Sequence, residues 1–196
     1  MRWFIGLLAV AAIAMSGARP DLSRSITIVK VANGRGTGFV LEVPHLPAPI
    51  MITNQHVCES YKQVRITWSD GAITTEEVIR TDAALDLCAI TATHNAPTLK
   101  LADTPARVNE AVYTEGYPAY RYRASSGVVL QYRNIYIQGQ KYFSMETTMH
   151  TSPGASGSPV VNSKGEVVGV VQTSGNFGFN GSVTLKNLRR FLDAKY

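Results

Sequence analysis

Short strand-like runs, punctuated by Gly, Pro, Asn and Asp, constrain the fold of this chain more than any other feature of its sequence. Six or so lie on each side of a polar, proline-containing linker at 93–110. The runs are 25–31, 37–43, 49–53, 63–68, 75–81 and 87–92, then 111–117, 126–137, 141–149, 158–162 and 166–174. Alternating or β-branched runs of this length are typical of strands. Two small β-barrels or a two-sheet sandwich would accommodate them, because closure removes exposed edges.

The two ends of the chain differ from this β-rich middle. Residues 1–18 have a basic residue, a 13-residue apolar run and small residues at the end, which is the layout of a secretory signal peptide. An uncleaved membrane anchor is the alternative, although a span needs about 20 apolar residues. At the other end, "TLKNLRRFLDAKY" predicts a helix over 184–196, with Thr184 as its N-cap. Its apolar face would be formed by Leu185, Leu188, Phe191 and Leu192.

The charge of the chain is moderately basic, with a formal net charge of +5 at pH 7. The basic residues are scattered, and no stripe of Lys and Arg is combined with aromatic residues. Nucleic-acid binding usually requires such a basic footprint or a recognisable motif. We therefore expect the charge to lie on a solvated face and expect no nucleic-acid partner.

The stretch "SPGASGSPVV" at 152–161 brackets Ser156 between Gly154 and Gly157. A tight turn that happens to contain serine is one interpretation. The other is a nucleophile whose small neighbours leave backbone N–H groups free to face a reacting carbonyl. A serine hydroxyl needs a base to remove its proton, and a third group must orient that base.

His56 and Asp86 are the candidates for these two roles. Among the four histidines, His56 alone follows a buried-looking strand, in "PIMITNQHV", whereas His45, His94 and His150 lie in other contexts. Asp86 lies inside the apolar run "AALDLCAI", where a carboxylate is costly unless a partner such as an imidazole satisfies it. Asp82 is the alternative acid, in the context of an ordinary turn.

The order His56, Asp86, Ser156 is the order found in chymotrypsin-like double barrels. With "GTGFVLE" (36–42), "MITNQHV" (51–57), "ALDLCAI" (84–90), "EGYP" (115–118), "SSGVV" (125–129) and "SPGASGSPVVNSKGEVVGVV" (152–171), the chain resembles a trypsin-like serine protease of bacterial type. The high-temperature-requirement proteases and glutamyl endopeptidases are the members it resembles most.

The resemblance implies an all-β fold of two six-stranded antiparallel β-barrels followed by a C-terminal α-helix. The peptidase domain would cover 19–196, with barrels at about 25–95 and 108–183. It also implies that His56 is the general base, Asp86 its orienting acid and Ser156 the nucleophile. Backbone N–H groups of Gly154 and Ser156 would form the oxyanion hole. No cofactor or metal is expected, and peptides or proteins are the expected substrates.

Specificity is harder to interpret from the sequence. The resemblance places the walls of the substrate pocket at His150, Thr151, Val171, Gln172 and Thr173, none of which is acidic. We expect a small or medium apolar P1 residue, or alternatively an acidic one, rather than Lys or Arg. Because Ala155 stands where animal trypsins have an aspartate, activation by a newly cut N-terminus is not expected.

Cys58 and Cys88 each lie two residues beyond a proposed catalytic residue. A disulfide is chemically allowed in an exported protein, and two buried free thiols are the alternative. The sequence leaves the two states open.

The resulting hypothesis is a secreted or periplasmic serine endopeptidase of undetermined oligomeric state. A catalytically silent binding protein on the same scaffold is one rival. A protease that doubles as a chaperone is another, but the chain ends at Tyr196, where we expect no appended peptide-binding domain.

Overall fold

The computed structural model describes residues 19–137, 139–174 and 180–194. The signal peptide predicted at 1–18 lies outside the described residues. Twelve strands and two α-helices are described in these ranges, together with a 3₁₀ turn at Pro118–Tyr120.

The first six strands form one closed antiparallel barrel in the order β1-β2-β3-β6-β5-β4. They are β1 (Ile26–Val31), β2 (Gly34–Leu41), β3 (Ile50–Thr53), β4 (Gln63–Thr67), β5 (Ile73–Asp82) and β6 (Leu87–Thr91). The one-turn helix α1 (Gln55–Cys58) follows β3 directly.

The other six strands form a second closed barrel in the order β10-β11-β12-β9-β8-β7, which repeats the connectivity of the first. They are β7 (Ala111–Gly116), β8 (Arg123–Ile137), β9 (Gln140–Thr147), β10 (Pro159–Val161), β11 (Val167–Ser174) and β12 (Asn180–Thr184). The fold class predicted from the sequence is therefore confirmed, and the sandwich alternative is wrong. Every strand has two hydrogen-bonded neighbours, so neither barrel exposes an edge.

The helix α2 runs from Leu185 to Asp193, shorter than the predicted span to 196, because Ala194 returns to extended backbone. The Thr184 hydroxyl caps it by accepting the Asn187 amide at 3.3 Å, as the N-cap pattern predicts. All four predicted apolar side chains of this helix are buried.

The two barrels pack against each other and against α2 through a shared core. One cluster of buried side chains contains Phe39 and Leu41 from the first barrel, Val161 from the second and Phe191 from α2. Burial of a large apolar side chain contributes about 2 kcal/mol. This shared core brings the end of β3 close to the loop that precedes β10.

Candidate active site

His56 and Asp86 meet at one end of the first barrel. Strand β3 pairs with β6 so that Thr53 lies opposite Cys88, and each candidate residue comes just beyond this pair. The His56 Nδ1 atom is 3.0 Å from both carboxylate oxygens of Asp86. The His56 backbone amide also donates to Asp86 Oδ1 at 3.1 Å. A carboxylate at Nδ1 favours the tautomer that carries its proton there, which leaves Nε2 free to accept one.

The backbone of Asp86 is held in an unusual conformation. Its φ angle is +53°, in the left-handed region that non-glycine residues seldom adopt. The Asn54 side chain donates from Nδ2 to the Asp86 carbonyl at 2.9 Å and so supports this turn. Asp86 is only 5% exposed, whereas the His56 imidazole is about half exposed. The arrangement therefore shields the acid and leaves the imidazole open to a substrate.

Ser156 lies in the loop between β9 and β10, at the junction of the barrels. Its backbone carbonyl accepts a hydrogen bond of 2.8 Å from Thr37 of the first barrel. Its hydroxyl donates to the Gln172 carbonyl at 3.3 Å, and within the described residues no hydrogen bond joins it to His56. That bond is long for an O–H donor, which indicates a weak interaction.

The amides of Gly154 and Ser156 differ from their neighbours in the same loop. Neither N–H donates to an acceptor within the described ranges. The carbonyls that share a peptide group with these two amides, those of Pro153 and Ala155, both accept hydrogen bonds. The Pro153 carbonyl accepts from the 3₁₀ turn at 3.4 Å, and the Ala155 carbonyl accepts from Ser158 at 2.9 Å. Two donors, one on each side of Ala155, thus have no acceptor among the described residues, and free donors beside the serine hydroxyl are the chemical requirement for binding an oxyanion.

Two glycines of this loop need their lack of a side chain. Gly154 and Gly157 have φ angles of +99° and +86°. A Cβ at Gly157 would overlap the Thr37 carbonyl and the Thr53 hydroxyl. The loop can therefore turn this sharply and lie this close to the first barrel only with glycine at 157.

The predicted pocket residues do not all line one cavity. His150 and Thr151 line a cavity of about 510 Å³ beside the loop, with Arg123 and several hydroxyl-bearing residues. Val171 and Gln172 are buried and do not line this cavity. The side chain of Thr173 lies outside the described part of the structure.

Cys58 and Cys88 form a disulfide, the state that the sequence left open. Their Cα atoms are 6.5 Å apart, and both residues are fully buried. The bond ties α1, which carries His56, to the strand that follows Asp86.

Tyr142 approaches the acid from the second barrel. Burial raises the pKa of its phenol, and the negative charge of Asp86 raises it further. Its hydroxyl donates to the Ala83 carbonyl at 3.4 Å. The second barrel therefore places one aromatic side chain near Asp86.

Three residues near the site were not identified from the sequence. Thr37 contacts the serine loop, Asn54 supports Asp86, and Asn180 accepts a 2.7 Å hydrogen bond from Thr151. Thr37 and Asn54 lie within the stretches "GTGF" and "TNQH" that carry the resemblance, but a short polar residue there has no pattern of its own.

No group of three or more His, Cys, Asp and Glu side chains within 19–137, 139–174 and 180–194 is arranged to hold a metal ion. Neither α-helix of these segments has the length and hydropathy needed to cross a membrane.

Comparison with sequence relatives and solved structures shows which proteins this chain resembles. A periplasmic serine endoprotease of DegP-like type from Pseudomonas putida is 28% identical over 142 residues, covering 71% of this chain and 29% of that protein. The mitochondrial serine protease HTRA2 of Bos taurus is 28% identical over 192 residues, covering 94% of this chain and 40% of that protein. The chain thus spans less than half the length of these relatives.

Among solved structures, the active form of the Rv3671c protease of M. tuberculosis superposes with a TM-score of 0.77 at 22% identity. The match covers 89% of this chain and 87% of that one, and it shows the shared fold. The sequence profile of the trypsin-like peptidase domain matches residues 36–170. The chain therefore belongs to the trypsin-like peptidase family.

Proposed function

We propose that this protein is a serine endopeptidase in which Ser156 is the nucleophile, His56 the general base and Asp86 the residue that orients the base. The observation that carries the proposal is the contact of His56 Nδ1 with both oxygens of the buried Asp86 carboxylate. A half-exposed imidazole held in this way is suited to take a proton through Nε2.

In the proposed reaction the Ser156 hydroxyl leaves the Gln172 carbonyl and rotates toward His56. Its oxygen attacks the scissile carbonyl while its proton passes to Nε2. The carbonyl oxygen becomes an anion that accepts hydrogen bonds from the free amides of Gly154 and Ser156. Each such donor contributes about 3 kcal/mol of transition-state stabilisation.

Collapse of the tetrahedral intermediate breaks the peptide bond and forms an ester between Ser156 and the acyl part of the substrate. The leaving amine takes the proton from His56. Water then attacks the ester while His56 accepts its proton. The bond from the acyl carbon to the Ser156 oxygen breaks, His56 returns the proton to that oxygen, and the carboxylic acid product is released. These steps use side chains and backbone amides of this chain.

For specificity we propose a small or medium apolar P1 residue, with an acidic residue as the second candidate. Among the residues that the structure describes, no carboxylate lines the cavity that contains His150 and Thr151, and Arg123 adds a positive charge there. A cationic side chain would therefore find no counter-charge in this cavity. Cleavage profiling with a peptide library tests the preference, and strict cleavage after Lys or Arg would contradict it.

We further propose that the protein is exported to an oxidising compartment after cleavage of residues 1–18. The leader pattern, the disulfide and the periplasmic description of the DegP-like relatives support this localisation. Mass spectrometry of protein recovered outside the cytoplasm should give Arg19 as the first residue.

The central experiment is labelling with a fluorophosphonate, which reacts with an activated serine. Wild-type protein should be labelled at Ser156, and Ser156→Ala should lose both labelling and cleavage of an unstructured protein such as casein. Ser163→Ala is the matched control, because this exposed serine lies in the turn after β10, outside the cavity of His150 and Thr151, and should be dispensable. A folded wild-type protein that is not labelled would instead favour the catalytically silent binding protein.

A further inference from the structure

We propose that Thr37 is a positioning residue that holds the amide of Ser156 ready for the oxyanion. The inference rests on the proposed function and extends it to a residue of the first barrel. Thr37 lies in β2, is fully buried and does not face the substrate cleft. Its effect on the reaction would therefore be transmitted through the serine loop.

Thr37 donates two hydrogen bonds to this loop. Its backbone amide donates to the Ser156 carbonyl at 2.8 Å. Its hydroxyl donates to the Gly154 carbonyl at 2.9 Å. One residue of the first barrel therefore binds the carbonyls of both residues whose amides have no acceptor within the described ranges.

The other ends of the same two peptide groups are also bonded. The Ala155 amide, which shares a peptide plane with the Gly154 carbonyl, donates to the Ser152 carbonyl at 2.9 Å. The Gly157 amide, which shares a peptide plane with the Ser156 carbonyl, donates to the Val171 carbonyl at 2.8 Å. Because a peptide group is planar, bonds at both ends define its orientation. The Ser156 amide lies between these two fixed planes and has little freedom to turn.

The Thr37 hydroxyl is itself oriented by its surroundings. It accepts a hydrogen bond from the Tyr117 amide at 2.9 Å, so its proton is directed to the Gly154 carbonyl. The Thr37 carbonyl accepts from the Thr53 hydroxyl at 2.7 Å. A hydroxyl can accept and donate at once, whereas the isosteric methyl of valine can do neither.

The test compares Thr37→Val, which removes the hydroxyl at constant shape, with Thr37→Ser, which retains it. The readouts are the rate of fluorophosphonate labelling, kcat and KM for p-nitrophenyl acetate, and thermal unfolding. We expect Thr37→Val to reduce kcat and the labelling rate about 10- to 100-fold, less than the loss of a whole oxyanion donor. KM should change little, and Thr37→Ser should restore most of the rate.

A purely structural role for Thr37 predicts a different result. Thr37→Val would then unfold at a lower temperature, but its folded fraction would react at the wild-type rate, and this result would overturn the inference while leaving the proposed function intact. If Thr37→Val does not fold, Thr53→Val decides: a lower labelling rate supports the inference and an unchanged rate overturns it. Wild-type protein that is not labelled at all overturns both proposals.

Discussion

The two barrels share one strand order but hold their parts of the site in different ways. The first barrel carries His56 and Asp86 on adjacent strand ends, joined by direct hydrogen bonds and by the Cys58–Cys88 disulfide next to them. The second barrel carries Ser156 on a loop whose carbonyls are bound by the other barrel. The proposed base and acid therefore lie within one barrel, whereas the loop of the proposed nucleophile is hydrogen-bonded to the other barrel.

The walls of the barrels show a second contrast. The strands of the first barrel bury one carboxylate, Glu76, whereas those of the second bury two, Glu115 and Glu146. Glu76 accepts hydrogen bonds from the hydroxyls of Thr74, Thr91 and Thr93. Glu146 is paired with the guanidinium of Arg133. The first barrel thus stabilises the buried Glu76 carboxylate with neutral threonine hydroxyls, whereas the second pairs Glu146 with a cation.

Disrupting the pair within the first barrel should have the largest effect. Asp86→Asn keeps the size of the side chain but favours the wrong imidazole tautomer, because an amide N–H can face Nδ1. We expect kcat for peptide hydrolysis to fall by about 10⁴-fold. Steady-state kinetics with the peptide identified by library profiling measures this.

Asp82→Asn is the matched control for this prediction. Asp82 accepts the Leu85 amide through one oxygen, which asparagine retains, so its activity should stay within about twofold of wild type. Equal losses of kcat in Asp86→Asn and Asp82→Asn would contradict the specific role proposed for Asp86.

Removal of the Cys58–Cys88 disulfide should have the next largest effect. Replacing both cysteines by alanine frees a loop of 30 residues in the unfolded chain. The free energy of unfolding should fall by roughly 3 kcal/mol, which urea denaturation measures. If the bond also aligns α1 with Asp86, kcat should fall below that of wild type under conditions where the variant is fully folded. Unchanged stability would show that the surrounding core holds α1 without the bond.

Glu76→Gln should have the smallest effect of the three and a defined pH dependence. Burial raises the pKa of Glu76, but hydrogen bonds from Thr91, Thr93 and Thr74 outweigh it and hold the pKa below its usual value of 4.5. A carboxyl with a lowered pKa stabilises the fold at pH above its usual value, and this stabilisation is lost as the pH falls through the lowered value.

At neutral pH the substitution should cost about 1–3 kcal/mol, because the hydroxyl donors lose acceptors. The difference between wild type and Glu76→Gln should shrink as the pH falls below 4.5. Glu77→Gln, at the exposed neighbouring position, is the control and should show no such trend. A difference that is constant with pH would contradict the role assigned to the Glu76 charge.

Much of the site could be predicted because its residues carry strong local signals. A carboxylate in an apolar run, a histidine after a buried strand and a serine between glycines each have a physical cost or preference visible in a few letters of sequence. Thr37 carries no such local signal, because its proposed role comes from a contact with Gly154, which is 117 residues further along the chain. Asn180, which meets Thr151 across the second barrel, is a similar case.

The sequence by itself determined the alternation of strands, the linker, the capped C-terminal helix and the chemical types at 56, 86 and 156. These follow from side-chain periodicity and from the cost of burying polar groups, both of which act over a few residues. Only the tertiary structure decided that Cys58 and Cys88 are bonded, that Thr37 binds the serine loop and that two amides of this loop have no acceptor in the part of the chain that the structure describes. Such features depend on the packing of one closed barrel against another, and the register of that contact is not encoded in any single segment.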